Sequence, residues 1–312
     1  MKLHFLGTHA GFPSKFGATS GLVIEFPSRL ILIDAPENSQ QIMAQLSLSI
    51  QKLSAILITH MHMDHVAGLV PLLQSAFVRD RTMTLTLYGP PGITEYVDTI
   101  NRLTGGEMSP NFKIVEVVPG FEFSVNEVSF TAVKMSHVIN CNGYYMQTPL
   151  KKLINLKKAR EDGFPFGLEA QKLKNFEDVQ INDRLFKAAD YTETEGGNRI
   201  LFTYDTNLKS TDLKQFKGLV DLLVTECSFA DDKLENCTEY GHSCVCMVID
   251  TLKEIECNKV VVTHVSQRYG APTEHPVQKE LEFKKRSEFI GSPVPDWVDM
   301  LEARSHGWVE IK

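Results

Sequence analysis

"ILITHMHMDHVAGL", residues 56–69, places three histidines and an aspartate within six positions, directly after an apolar run. Ile56, Leu57 and Ile58 run into His60 without a polar break, the pattern of a strand buried on both faces by helices. If that strand ends near His60, a tight loop turns His60, His62, Asp64 and His65 toward one point. Imidazole nitrogen and carboxylate oxygen suit Zn²⁺ or Mn²⁺, and the lack of cysteine here disfavours a structural thiolate site. Four such groups exceed what one catalytic ion takes from a single loop, since it must keep a position open. A pair of ions roughly 3.5–4 Å apart would use them.

Outward from this stretch, strand-like runs recur. "KLHFLG", "SGLVIEF", "RLILIDAP" and "TLTLYGPPG" surround it in the first half, with "VPLLQSAFV" and "GITEYVDTINRL" spaced as helices. In the second half "FEFSVNEVSFTAVKMSH" predicts two strands. "RILFTYDT", "DLLVTECSF" and "KVVVTHVS" predict three buried ones, each ending on a polar or ionisable residue, and "SCVCMVIDTLKEI" is helical. Two β-rich halves with helices predict an αββα sandwich whose strand ends collect at one edge. His137, Asp205 and His264 close strands as His60 does. A lone strand-end histidine is more often a structural hydrogen bonder than a ligand, but three groups of one geometry favour ligation. A chance cluster on a surface loop would not come with such companions.

Composition narrows the class. At 312 residues, 43% hydrophobic and 23% charged, the chain is of globular type, and no run reaches the roughly 20 apolar residues of a membrane span. "MKLHFLGTHAGF" reads as a first strand and not a signal peptide, so a cytoplasmic location is expected. Six cysteines over this length do not form a disulfide framework, and Cys244-x-Cys246 reads as a pair of buried thiols. A formal charge of −7 argues against general nucleic-acid affinity without excluding a local basic patch. Residues 146–196 break the strand pattern: polar, lysine-rich at the start, they read as a linker, a lid or a projecting arm.

The string "THMHMDH", with strand-end His137, Asp205 and His264, resembles the metallo-β-lactamase superfamily. More narrowly, "FLGTHAGFPSKFGATS", "LIDAPENSQ", "LYGPPG", "SHVINCNGY", "YDT", "TECSF", "GHS" and "THVSQRY" are similar, in this order, to the motifs of ribonuclease Z, the tRNA 3′-processing endonuclease family. The match runs from Lys2 to about Tyr269, and "GHS" with "HVSQRY" is its most specific part.

That resemblance implies a single metallo-β-lactamase-fold domain over 1–312, an αββα sandwich, with 146–196 as a substrate-gripping arm. It implies two Zn²⁺ per chain, with Mn²⁺ an alternative: one held by His60, His62 and His137, the other by Asp64, His65 and His264, with Asp205 bridging. The implied reaction is removal of the 3′ trailer of precursor tRNA by metal-activated water, which Asp64 also orients. His242 matches the family's general acid and Glu226 its orienting partner, although at a helix start His242 would otherwise pass as an ordinary residue. Ser266 and Arg268 match a substrate-phosphate grip, against the plainer reading of Arg268 as a surface charge. Asp34 is expected to support the metal loop by hydrogen bonds. A homodimer in which each arm serves the partner's site is also implied.

Three features depart from the family's pattern. Phe166-Gly167 stands in place of its Gly-Pro element, Tyr204 in place of a glycine, and His9 in place of another near the expected site. His4, His275 and His306 match no ligand position. Lys151, Lys152, Lys157, Lys158 and Arg160 form a local basic run suited to a polyanion, or equally a solvated face. Two further readings stay open: a paralogue hydrolysing a small phosphodiester such as a cyclic nucleotide, and a non-catalytic metal-binding or scaffold protein. The complete seven-residue ligand set weighs against the second of these.

Overall fold

Alternation along each strand sorts side chains into layers. In the first half these are β1 (Lys2–Gly7), the short β2 (His9–Ala10), β3 (Gly21–Glu25), β4 (Leu30–Ile33), β5 (Leu53–Leu57), β6 (Leu85–Gly89) and β7 (Phe112–Glu116). Their helices are α1 (Ser39–Gln45), α2 (Met63–Val66), α3 (Leu69–Val78) and α4 (Ile93–Thr104). In β4, Ile31 and Ile33 face one core while Leu30 and Leu32 face another. The computed structural model describes residues 1–269 apart from 16, 79–82, 107–110 and 166, together with 277, 279–281, 296–298 and 309–311.

The second half supplies β8 (Glu122–Val125), β9 (Val128–Met135) and β10 (Cys141–Gln147). After β11 (Leu150–Ile154), α5 (Leu156–Glu161), α6 (Glu169–Lys174), β12 (Val179–Ile181), β13 (Arg184–Phe186) and β14 (Thr192–Gly196), the strands resume with β15 (Arg199–Tyr204) and β16 (Leu222–Glu226). Then come α7 (Leu234–Tyr240), α8 (Val245–Ile255), β17 (Lys259–Thr263), β18 (Val265–Ser266), β19 (Asp296–Val298) and β20 (Val309–Glu310). Two seven-stranded sheets result, ordered β20-β1-β3-β4-β5-β6-β7 and β19-β17-β16-β15-β10-β9-β8.

Their inner faces meet through Leu3, Ile31, Ile33 and Leu57 on one side and Phe130, Tyr144, Phe202, Val224 and Val261 on the other. The outer face of the first sheet buries Leu30, Leu32 and Ile56 beneath Leu69, Leu72, Leu73 and Val97 of α3 and α4. Leu201, Leu223, Val260 and Val262 on the outer face of the second lie beneath Val245, Val248, Ile249 and Leu252 of α8. This is the αββα order of layers. Truncating an inter-sheet side chain such as Phe202 to alanine leaves a cavity on a fully buried face, a cost of about 3–5 kcal/mol.

Parallel pairing positions the site. β4 with β5, and β15 with β16 and β17, run in the same direction, so their carboxyl ends fall at one edge of each sheet. At three of those ends the strand stops in a left-handed turn, at Asp34 (φ 57°), Tyr204 (φ 48°) and His264 (φ 53°). Such backbone costs a non-glycine residue of order 1–3 kcal/mol and persists where surrounding contacts over-determine it. At Tyr204 this is the conformation a glycine adopts without strain, and a fully packed ring occupies the position instead.

The chain divides into two compact units, Met1–Met146 with Arg199–Ile311, and Gln147–Asn198. The second carries a ladder of β11 on β14, the hairpin β12–β13 and the two short helices. Its core is small: Ala159, Phe164, Leu173, Val179, Phe186, Ala188 and Tyr191. Among the described residues no helix is long and apolar enough to cross a membrane. Phe166, His275 and His306 lie outside the described residues.

Candidate metal centre

The loop after β5 carries His60; His62 caps α2, whose first turn holds Asp64 and His65. His137 follows β9, Asp205 follows β15, and His264 follows β17. The structure brings all seven together. One ligand atom from each of His60, His62, His137 and Asp205 lies within 4.8 Å of the others, and so do those of Asp64, His65 and His264. Asp205 stands between the groups: its Oδ2 is 3.6 Å from His60 Nε2, 3.4 Å from His65 Nε2 and 3.2 Å from His264 Nε2. Within the groups, His62 Nδ1 is 3.1 Å from His60 Nε2 and 3.2 Å from His137 Nε2, while Asp64 Oδ2 is 3.5 Å from His65 Nε2 and 3.6 Å from His264 Nε2.

The hydrogen bonds on the far side of each ring settle which nitrogen faces inward. His65 Nδ1 donates to Asp34 Oδ2 at 2.7 Å, and His137 Nδ1 donates to the Gly241 carbonyl at 2.8 Å. Thr59 donates its hydroxyl proton to Asp34 Oδ2 (2.9 Å), so the 2.9 Å contact at its oxygen is a donation from His60 Nδ1. Ser228 Oγ donates to Glu226 Oε2 at 2.6 Å, and accepts from His264 Nδ1 at 3.1 Å. The Nε2 atoms of these four rings therefore turn toward Asp205, each a free lone pair wherever its ring is neutral. His65 Nε2, His264 Nε2 and Asp205 Oδ1 are buried without a hydrogen-bond partner. Such orphans are costly unless a cation takes them. Donor separations of 3.1–3.6 Å match the edges, about 3.3–3.4 Å, of a tetrahedron with metal–nitrogen bonds of about 2.0–2.1 Å. Nitrogen and oxygen donors in this number and spacing fit a pair of hard-to-borderline divalent ions.

Electrostatics mark the cluster as a place for positive charge. Burial works against a charged His65, yet the Asp205 and Asp34 carboxylates outweigh it and raise its pKa well above the usual value, so a proton there stands where a cation would. Burial lowers the His60 pKa well below its usual value, and the neighbouring His65 adds to this, so its imidazole is neutral and able to ligate. Burial alone would raise Asp64, but bonds from His264 and His65 hold its carboxyl well below the usual range. The Gly11 amide donates to Asp64 Oδ2 at 2.9 Å and fixes that carboxylate from outside the cluster.

Beside the cluster lies a second unit. His242 Nδ1 donates to Glu226 Oε1 at 2.9 Å, and the ring centroids of His137 and His264 are 5.1 Å and 5.3 Å from that of His242. Glu226 is fully buried and also accepts the Thr206 amide (2.6 Å), the Ser243 amide (3.2 Å) and Ser228 Oγ. Burial works against a charged imidazole at His242, yet the Glu226 carboxylate, with Asp205 and Asp64 behind it, outweighs burial and pushes its pKa up to about 9. Arg268 is exposed, its guanidinium 5.1 Å above the Phe229 ring, which in turn stands edge-on to His242. Ser266 lies in β18, which pairs with β2 through Val265 to His9 and Ser266 to Ala10. His9 is buried, with Nδ1 3.1 Å from the Gly17 carbonyl, and its ring packs on Gly17.

Several parts of the site carry no signal in their residue type. Thr59 and Ser228 join ligands to carboxylates, and Gly241 and Gly11 act through backbone groups. At Gly241 (φ 67°) an added Cβ would come within 3.0 Å of His137, so the close approach needs glycine.

Two face-packed sheets clothed by helices, with a histidine–aspartate cluster at their common edge, define a hydrolase of the metallo-β-lactamase fold. Solved structures agree on that fold: the short form of human tRNase Z (TM-score 0.63, 21% identity, covering 86% of this chain and 94% of that one) and the metallo-beta-lactamase fold protein YhfI of Bacillus subtilis (TM-score 0.63, 19% identity, 96% and 95%). The family model of the anti-Pycsar protein Apyc1 matches residues 1–155. Over 300 residues the sequence is 33% identical to ribonuclease Z of Listeria monocytogenes, covering 94% of this chain and 96% of that protein. The chain belongs to the ribonuclease Z family.

Proposed function

We propose that this protein is the endoribonuclease that removes the 3′ trailer from precursor tRNA, using two zinc ions held by the seven converging ligands. The observation that carries the reading is the juxtaposition of that cluster with the His242–Glu226 pair. When bound, a pair of ions supplies a nucleophilic water at neutral pH and charge stabilisation for an in-line displacement at phosphorus. The chain's own groups do the rest. Asp205 and Asp64 fix the two halves of the ligand set, and Asp64, tied to the Gly11 amide, is placed to orient the attacking water. Glu226 holds the His242 Nδ1 proton, which leaves the Nε2 proton for the departing ribose oxygen. Its pKa near 9 keeps the acid charged before the reaction. Ser266 and Arg268 serve the scissile or neighbouring phosphate, the guanidinium being braced on Phe229.

Residues 146–196 act as the substrate-gripping arm of a molecule otherwise organised as one metallo-β-lactamase-fold domain. Support comes from the separate core of Gln147–Asn198 and from the exposed Lys151 and Lys152 on β11. The basic run is narrower than its spelling: Lys158 donates back to the Asp190 carbonyl at 2.9 Å, and Lys157 pairs with Glu161 at 3.9 Å. Residues 147–198 hold nine Lys and Arg against nine Asp and Glu, so the arm is neutral while the rest of the chain carries the −7. That neutrality favours, as a second reading, a paralogue acting on a small phosphodiester. The six cysteines, all free thiols, support a cytoplasmic location, and family membership supports a homodimer.

Side-by-side turnover of a precursor tRNA and a simple aryl phosphodiester tests the proposal. Cleavage of both, with the tRNA cut at a single 3′ position, is expected; cleavage of the aryl ester alone would hand the site to the second reading.

A further inference from the structure

A separate group of donors lies where α8 begins. Asp231, Cys244 and Cys246 each offer one ligand atom, and the three atoms lie within 4.8 Å of one another. Cys244 Sγ and Cys246 Sγ are 3.3 Å apart. Asp231 Oδ1 accepts the Cys246 amide at 2.7 Å, which pins the carboxylate over the thiols. Cys237, fully buried in the helix before this turn, directs its thiol to the Lys233 carbonyl.

We propose that Asp231, Cys244 and Cys246 form a second metal site, for a thiophilic divalent cation such as Zn²⁺ or Cd²⁺, distinct from the histidine cluster in donor type. Two sulfurs on one tetrahedral zinc stand about 3.8 Å apart for bonds of about 2.3 Å. The observed 3.3 Å is short of that by an amount that rotation of the half-buried Cys246 supplies. The same distance is far beyond the 2.05 Å or so of a disulfide. Entry is available, since Cys246 lines a cleft of about 730 Å³ together with Leu208, Met247 and Asp250. A solvent oxygen from that cleft completes four-coordination.

The binding step balances as one cation displacing two protons, one from each thiol, to give a neutral dithiolate pair beside the Asp231 carboxylate. Burial, together with the neighbouring Cys244 thiol, pushes Cys246 up to about 12. Both thiols are therefore protonated at neutral pH, and affinity rises with pH as the released protons are drawn off. Loading the site would clamp the first turn of α8, two residues beyond His242 and one beyond Ser243, whose amide holds Glu226.

The donor difference makes the site readable without catalysis. The full-length protein is stripped of metal with a chelator, kept reduced, and then titrated with Co²⁺ in the near ultraviolet. A thiolate-to-cobalt charge-transfer band with the amplitude of one cobalt held by two thiolates per chain is expected; histidine and carboxylate donors give none. The band is lost in Cys246→Ser, whose partly exposed position tolerates the change, and cobalt affinity falls about tenfold or more in Asp231→Ala. Absence of the band in the parent protein, or its survival undiminished in Cys246→Ser, overturns the proposal. Neither outcome bears on the tRNA reading, because cobalt in the histidine cluster gives no thiolate band.

Discussion

The histidine edge and the arm are built on opposite principles. At the edge, Glu226 alone accepts five hydrogen bonds and each of His60, His65, His137 and His264 has its outer nitrogen tied down. In the arm, seven buried side chains hold together about fifty residues, while Leu150, Leu168, Phe176 and Leu185 stay exposed. A cluster of buried ring nitrogens and carboxylates survives only if its surroundings leave it nowhere to relax, because every unmet donor or acceptor costs free energy. A surface with the proposed task of gripping a large polyanion has no such need, and a small separate core would let it change without disturbing the chemistry. The contrast predicts that substitutions at the edge strike every substrate alike, whereas those in the arm discriminate between them.

The largest effect tests the edge. Asp205→Ala removes the oxygen that stands between three ring nitrogens, and metal analysis should find the protein depleted, with precursor tRNA and aryl ester both uncut. Retention of two ions per chain would show that Asp205 does not bridge. Next in size, His242→Ala should lower turnover of precursor tRNA by about 10²–10⁴ with metal content intact, since only the proton for the leaving oxygen is lost. An aryl ester with an acidic leaving group needs that proton less and should suffer less. Loss of metal in this variant would reassign His242 to the ligand set.

The arm should behave in the contrary way. Replacing residues 151–195 by a short glycine–serine linker should abolish precursor-tRNA cleavage and leave aryl-ester turnover unchanged; equal loss of both would mean the arm supports the fold. Smaller again, Lys151→Ala with Lys152→Ala should weaken tRNA binding and flatten its logarithmic salt dependence by up to about two. Lys158→Ala should instead lower stability, because that ammonium caps the Asp190 carbonyl and lies over Tyr191.

How much of this could be read in advance follows from where the signal lives. The sandwich was legible because β4, β16 and β17 alternate between two cores, leaving continuous apolar runs that end on ionisable residues. The cluster was legible because His137, Asp205 and His264 repeat at separate strand ends the placement of His60, and the structure brings them together. Thr59 and Ser228 were not, since a hydroxyl that will meet a carboxylate in the fold looks like any other in the sequence. Gly11 and Gly241 contribute a backbone amide and a carbonyl, which every residue owns. In the arm, Phe164, Leu173, Val179 and Phe186 meet across short irregular elements, so neither a period of 3.6 nor of 2 marks them. Lys158 spells a basic face but folds inward, a decision made by Asp190 and Tyr191 some thirty residues away.

The finest test of the contrast is at Ser228, which ties the metal half of the edge to the acid half. Its hydroxyl donates to Glu226 and receives the Nδ1 proton of His264, so one oxygen orients a ligand and braces the partner of His242. Ser228→Ala leaves the His264 Nδ1–H in a buried site without that acceptor, and the ring is then free to tilt. Glu226 keeps the Thr206 and Ser243 amides and the His242 ring, so the acid should stay in place. Metal affinity should therefore fall by about tenfold, measured by competition with a chelator, while turnover at saturating metal changes little. If turnover at saturating metal collapses instead, the two halves are one cooperative network. The edge would then be rigid as a whole, and not as a sum of separately held ligands.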